Sequence, residues 1–119
     1  KVQEIFVSIG SRVLLVSDAM AAAGNGDGKY TIGALPVEVS NGVARLASNQ
    51  KLAGSTLTIS QAFVNLISHC GISLPQAVHA TSVQPAKSLG LNDRGSIAVG
   101  MRADLLSYNS STGSISIVS

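Results

Sequence analysis

The sequence predicts an α/β class, in the form of the last strand-and-helix portion of an α/β barrel with a small β appendage. Three observations predict it. Val13-Leu14-Leu15-Val16 is a continuous apolar run, β-branched at both ends. Such a run suits a parallel strand covered by helices on both faces. Residues 58–90 carry helical spacing and caps, and antiparallel strand patterns lie on both sides of them. One parallel strand cannot bury both faces by itself, so the rest of a parallel sheet is expected upstream of Lys1. The two flanking antiparallel segments are expected to pair with each other as a separate layer.

Taken in order, Lys1 to Ile9 reads as the end of a helix that stops at Gly10-Ser11. The buried strand follows and ends at Ser17-Asp18. Ala19 to Gly28 holds too little to bury as a strand and too many glycines for a helix, so it reads as a loop. Val37-Glu38-Val39 and Val43-Ala44-Arg45-Leu46 flank Asn41-Gly42, a pair that tolerates positive φ at both centres of a type I′ turn. This predicts a β-hairpin. Thr58 with Gln61 forms a capping box, and Ile59, Ala62, Phe63, Leu66, Ile67 and Cys70 then fall on one helical face. Gly71 ends that helix, with Ile72 as the apolar contact beyond it. Ser73 with Gln76 starts a second helix, which Pro85 is expected to end near Gln84. Pro85 to Leu89 makes one more turn, capped by Gly90. Asn92 to Gly95 is a turn, followed by strand residues at Ile97 and from Ala103 to Tyr108. Ser110 to Ser114 turns into a final strand over Ile115 to Val118.

Composition narrows the function. Charged residues are 12% of the 119, against about 25% in an ordinary soluble domain. The low charge and the start at Lys1 favour a part of a larger protein over a small uncharged domain whose leader was processed off. Eight basic residues are scattered among six acidic ones without a run, which argues against a nucleic-acid partner. No stretch reaches the ~18 consecutive apolar residues of a membrane span, and no secretory signal stands at the start. The lone Cys70 excludes an internal disulfide framework and fits a reducing compartment.

Few residues can carry chemistry. Asp18 stands at the C-terminal end of the predicted strand, where reactive groups gather in α/β folds. There it is expected to be partly desolvated, as a proton acceptor or metal ligand. By position alone the favoured reading is the cap of a following turn. Ala53-Gly54-Ser55-Thr56 leads into a helix N-terminus, whose amides suit an anionic or carbonyl ligand, although glycine-containing turns of this kind are common. His69 and His79 lie ten residues apart on different helices without metal-ligand spacing, and a structural role is expected for both. Gly95, Gly100 and Asp104 read as turn and strand-start residues.

Several strings together resemble the N-acetylglucosamine-6-phosphate deacetylases of the amidohydrolase superfamily. They are Val16-Ser17-Asp18-Ala19-Met20-Ala21-Ala22-Ala23-Gly24, Asp27-Gly28-Lys29-Tyr30 with Gly33, Gly42-Val43-Ala44-Arg45, and Leu52-Ala53-Gly54-Ser55-Thr56-Leu57-Thr58. Pro85-Ala86, Leu89-Gly90-Leu91, Asp93-Arg94-Gly95-Ser96-Ile97, Gly100 and Arg102-Ala103-Asp104-Leu105 resemble the closing region, which the superfamily shares. The likeness runs from about Arg12 to about Leu106 in order.

The resemblance implies the C-terminal part of an amidohydrolase TIM-type (β/α)8 barrel plus strands of a small β-sandwich domain. Residues 1–28 would be the last barrel helix and strand with the active-site loop, and residues 29–48 a hairpin of the β domain. Residues 49–91 would be barrel-closing helices, and residues 92–119 the C-terminal β strands. It implies metal-dependent hydrolysis of the acetamide of N-acetylglucosamine 6-phosphate, giving glucosamine 6-phosphate and acetate. The divalent metal would be zinc or iron. Asp18 matches the catalytic aspartate, which takes a proton from the activated water and passes it to the departing amine. Ala53, Gly54 and Ser55 match a substrate-contacting loop.

The family's metal-binding Glu and His residues and its substrate-recognising His residues belong to segments upstream of this chain, and neither His69 nor His79 falls in those motifs. Its usual last strand is expected to be shortened after Ser119. The chain alone is therefore expected to be inactive, and the complete protein to be a cytoplasmic homodimer that binds neither nucleic acid nor membrane. Two alternatives are another amidohydrolase acting on a cyclic amide, which the Ala53 to Thr58 string disfavours, and a non-enzymatic structural module.

Overall fold

The computed structural model describes residues 1–118, and the expectation about the end of the chain at Ser119 lies outside them. Two compact units are present. Residues 1–15 with 63–118 form one, and Val16–Ala62 forms the other.

Unit Val16–Ala62 is built on an antiparallel sheet in the order β1 (Gly28–Ile32), β2 (Leu35–Ser40), β3 (Val43–Leu46). The predicted hairpin is β2–β3, with Ser40 opposite Val43 and the turn at Asn41 (φ 51°) and Gly42 (φ 73°). Both centres adopt positive φ, as a two-residue turn requires to match strand twist. Period-two alternation sends Val37, Val39 and Ala44 to one face, where Ala22 and Ala53 cover them and Tyr30 and Leu46 flank them. A fully buried valine of this kind contributes about 1.5–3 kcal/mol relative to exposure. Strand β1 was not expected. Tyr30 packs against that cluster and Ile32 lies on the same face near Gly54, but with Gly28, Lys29 and Thr31 the segment carries little apolar signal, and pairing with β2 makes it a strand.

The other unit begins with α1 (Val2–Ile9) and a 3₁₀ turn over Gly10–Arg12, as the stop at Gly10 suggested. Helix α2 (Ile59–Ser68) starts where Thr58 accepts the Gln61 amide on its hydroxyl (3.2 Å). Its predicted face is largely realised: Ala62, Phe63 and Leu66 are buried, and Ile67 and Cys70 half-buried, while Ile59 in the first turn is exposed. Past Gly71, the Ile72 amide donates to the Leu66 carbonyl (3.0 Å). Helix α3 (Leu74–Val78) opens with Gln76 reaching back to accept from the Ser73 amide (3.2 Å). Phe6, Phe63, Leu66, Ile72, Ala77 and Ala80 form the core, and Phe63 meets Tyr108 edge-on at 5.2 Å.

Four expectations need correction. The second helix does not end at Gln84. A π turn over His79–Val83 leads straight into α4 (Gln84–Ser88). Pro85 cannot donate to the preceding turn, and the wider turn before it absorbs the mismatch, while the Thr81 hydroxyl bonds the Ala77 carbonyl (2.8 Å). Val13 to Val16 is extended but pairs as no strand among the described residues. Val13 and Leu15 reach the core, whereas Leu14 and Val16 are exposed. A strand needs a neighbouring strand to pair with, and here the Leu15 amide finds the Ala80 carbonyl instead (2.9 Å). The tail forms its own two-stranded sheet, β4 (Leu105–Asn109) against β5 (Ser114–Val118), rather than pairing with the hairpin. Ile97 lies outside both strands and is exposed. Before β4, Asp93 pairs with Arg94 and Asp104 with Arg102; these guanidinium hydrogen bonds hold both carboxyls below the usual carboxylate range.

Candidate active site

The extended residues 13–17 deliver Asp18, where φ turns to +50°. A side chain in this left-handed region costs roughly 1 kcal/mol, and aspartate and asparagine are among the residues that adopt it most readily. Main-chain pairing then fixes the position. Ser55 donates its amide to the Asp18 carbonyl (2.9 Å), Met20 donates to the Ser55 carbonyl (2.8 Å), and Ala19 and Ser55 form a parallel bridge. Two segments singled out separately in the sequence, Asp18 and Ala53–Ser55, therefore meet.

The second segment is anchored from both ends. The buried Ala53 donates its amide to the Ala44 carbonyl of β3 (3.0 Å). Ser55 turns its hydroxyl onto the Leu57 amide (2.9 Å), and Thr56 donates its hydroxyl to the Gly42 carbonyl. Between them Gly54 sits at φ +67°, where a Cβ would come within 3.3 Å of the Met20 Cβ. Gly54→Val is expected to cost about 1–3 kcal/mol, from backbone strain plus crowding of Met20. A lowered urea midpoint checks this; an unchanged midpoint would show that the segment is not held against residue 20.

The carboxylate of Asp18 is exposed, contrary to the partial desolvation expected, because no strand flanks residues 13–17 among the described residues. It has no hydrogen bond or ion pair among those residues, so both oxygens are available to accept a proton. His69 is exposed just past α2. His79 is half-buried at the start of the π turn, beside a cleft of about 280 Å³ between Phe6, Val13 and Pro75. Neither joins Asp18 in a cluster: among the described residues no three His, Cys, Asp or Glu side chains lie close enough to hold a metal. A catalytic zinc site normally takes three protein ligands, so these residues do not fit one by themselves.

No motif in the sequence marks Asp27 for the role it has in the structure. Its carboxylate accepts the Asn41 amide (2.6 Å) and the Gly42 amide (2.9 Å), tying the loop after Asp18 to the hairpin turn. Thr56 reaches the same turn from the other side. Both contacts span at least fourteen residues, so no local spacing signals them.

The Amidohydrolase family profile matches residues 3–115. The chain belongs to the amidohydrolase family. Members of this family are generally metal-dependent. Over 100 residues the chain is 40% identical to N-acetylgalactosamine-6-phosphate deacetylase of Escherichia coli O157:H7, covering 83% of this chain and 26% of that protein. It is 39% identical over 102 residues to N-acetylglucosamine-6-phosphate deacetylase of Vibrio furnissii, covering 85% and 25%. It thus spans about a quarter of the length of these relatives. Among solved structures, it is similar to N-acetylglucosamine-6-phosphate deacetylase from Thermotoga maritima, with a TM-score of 0.84 and 38% identity over 98% of this chain and 31% of that one. It is similar also to an aspartate-to-alanine mutant of the Mycobacterium smegmatis enzyme in complex with N-acetyl-D-glucosamine-6-phosphate, with a TM-score of 0.88 and 36% identity over 98% and 32%. Among the described residues no helix of this amidohydrolase chain is long and apolar enough to cross a membrane.

Proposed function

We propose that the chain is the C-terminal portion of an N-acetylglucosamine-6-phosphate deacetylase, contributing its proton-transfer carboxylate and one substrate-contacting loop. The observation that carries this reading is the backbone bridge that sets Asp18 beside Ser55. In this reading Asp18 accepts a proton from water as the water oxygen attacks the acetamide carbonyl. It returns the proton to the sugar nitrogen as the C–N bond breaks, leaving acetate and glucosamine 6-phosphate. Ala53, Gly54 and Ser55 line the approach of the sugar. The residues described make up no coordination shell for the divalent metal, zinc or iron, that this reading implies, and none of them is assigned to it as a ligand.

The same reading makes residues 1–28 and 49–91 pieces of a TIM-type barrel, and residues 29–48 and 92–119 pieces of a small β domain. Exposed apolar side chains such as Val7, Ile97 and Val99 support a chain that packs within something larger. The complete protein would be a cytoplasmic homodimer that engages neither nucleic acid nor membrane, in keeping with the scattered, low charge. A second reading replaces the substrate by N-acetylgalactosamine 6-phosphate, favoured by the 40% identity to an enzyme of that name.

Two preparations test the proposal. The purified chain, given either sugar phosphate and added zinc, is expected to release no acetate. A chimera in which this chain replaces the matching 102 residues of the Vibrio furnissii enzyme is expected to release it. Turnover by the chain alone, or an inert but folded chimera, would overturn the reading, and the preferred sugar phosphate decides between the two substrates.

A further inference from the structure

Two asparagines precede glycine, Asn25-Gly26 and Asn41-Gly42, and both asparagines are exposed. In an Asn–Gly pair the glycine has no Cβ to hinder its own nitrogen from reaching the asparagine side chain. Exposure does not distinguish the two pairs, but hydrogen bonding does. The Gly42 amide donates to Asp27 Oδ1 (2.9 Å) and the Asn41 amide to Asp27 Oδ2 (2.6 Å), within a turn closed on both sides by β2 and β3. A nitrogen that must give up its proton to react is held back there, because the amide anion would form against a carboxylate. The Gly26 amide has no hydrogen-bond partner among the described residues.

We propose that Asn25 is a site of spontaneous deamidation in this chain and that Asp27 shields Asn41 from the same reaction. The Gly26 nitrogen bonds to the Asn25 side-chain carbonyl carbon, the bond from that carbon to Nδ2 breaks, and ammonia leaves with the Gly26 amide proton. Water then opens the cyclic imide at either carbonyl, giving aspartate or isoaspartate. The product loses the bond from Asn25 Nδ2 to the Ala21 carbonyl (2.8 Å) and gains a negative charge two residues from Asp27. The isoaspartate also lengthens the main chain next to Gly26, whose carbonyl accepts the Tyr30 hydroxyl (2.9 Å). Conversion therefore loosens the loop between Asp18 and β1.

The test is peptide mapping by mass spectrometry of the whole chain, aged at mildly alkaline pH in native buffer and in concentrated urea. In native buffer Asn25 is expected to convert at least about tenfold faster than Asn41, since a charged hydrogen bond must be broken at Gly42. In urea, where neither turn persists, the two rates are expected to agree within about threefold. In Asp27→Ala the native rate at Asn41 is expected to rise toward that at Asn25. Asn41 keeping pace with Asn25 in native buffer overturns the proposal, as does a native preference that survives unchanged in urea. The second comparison holds even where Asp27→Ala does not fold.

Discussion

Asp18→Asn in the chimera with the Vibrio furnissii enzyme is expected to lower acetate release by about 10²–10⁴-fold, the range a positioned acid–base group supplies. The substitution keeps size and removes the ability to take up a proton. It also respects the backbone, because φ at this position is +50° and asparagine tolerates the left-handed region as well as aspartate does. The main-chain bridge from residues 18 and 20 to Ser55 does not involve the carboxylate, so it should survive. Unchanged circular dichroism and metal content beside the lost turnover would assign the defect to proton transfer. Full activity in Asp18→Asn would remove Asp18 from the chemistry, and collapse of the metal content would make it a ligand first and a base second.

Phe63→Ala is expected to lower the stability of the chain by about 3–5 kcal/mol, the cost of emptying a buried aromatic site. Phe63 sits in the cluster with Phe6, Leu66 and Ile72, and its ring also meets Tyr108 of β4 edge-on, so one truncation releases contacts to three segments of the sequence. A domain's whole stability is about 5–15 kcal/mol, which makes this a large share. Urea unfolding followed by circular dichroism measures it. Val99→Ala, at a fully exposed position, is the control and should leave the midpoint where it was. Equal midpoints for the two variants would show that the Phe63 cluster does not hold this unit together.

Elements whose cause is local are legible in the residues alone. Asn41-Gly42 specified its hairpin because positive φ at two adjacent residues is written into those residue types. Thr58 and Ser73 specified where two helices start, because a cap acts across three residues. Asp18 and Ala53–Ser55 could each be picked out by position and by resemblance.

Folding of the whole chain sets what depends on distant partners. It joined Asp18 to Ser55 through main-chain hydrogen bonds, and tied Asp27 to the hairpin turn fourteen residues away. It made a strand of Gly28–Ile32 by pairing it with β2, and denied one to Val13–Val16 for want of a neighbour. It carried the helical path through Pro85 by widening the turn before it. The reason is the same in each case: a cap or a turn satisfies its own amides within a few residues, whereas a strand, a bridge or a buried face is stable only against a surface that another part of the chain provides.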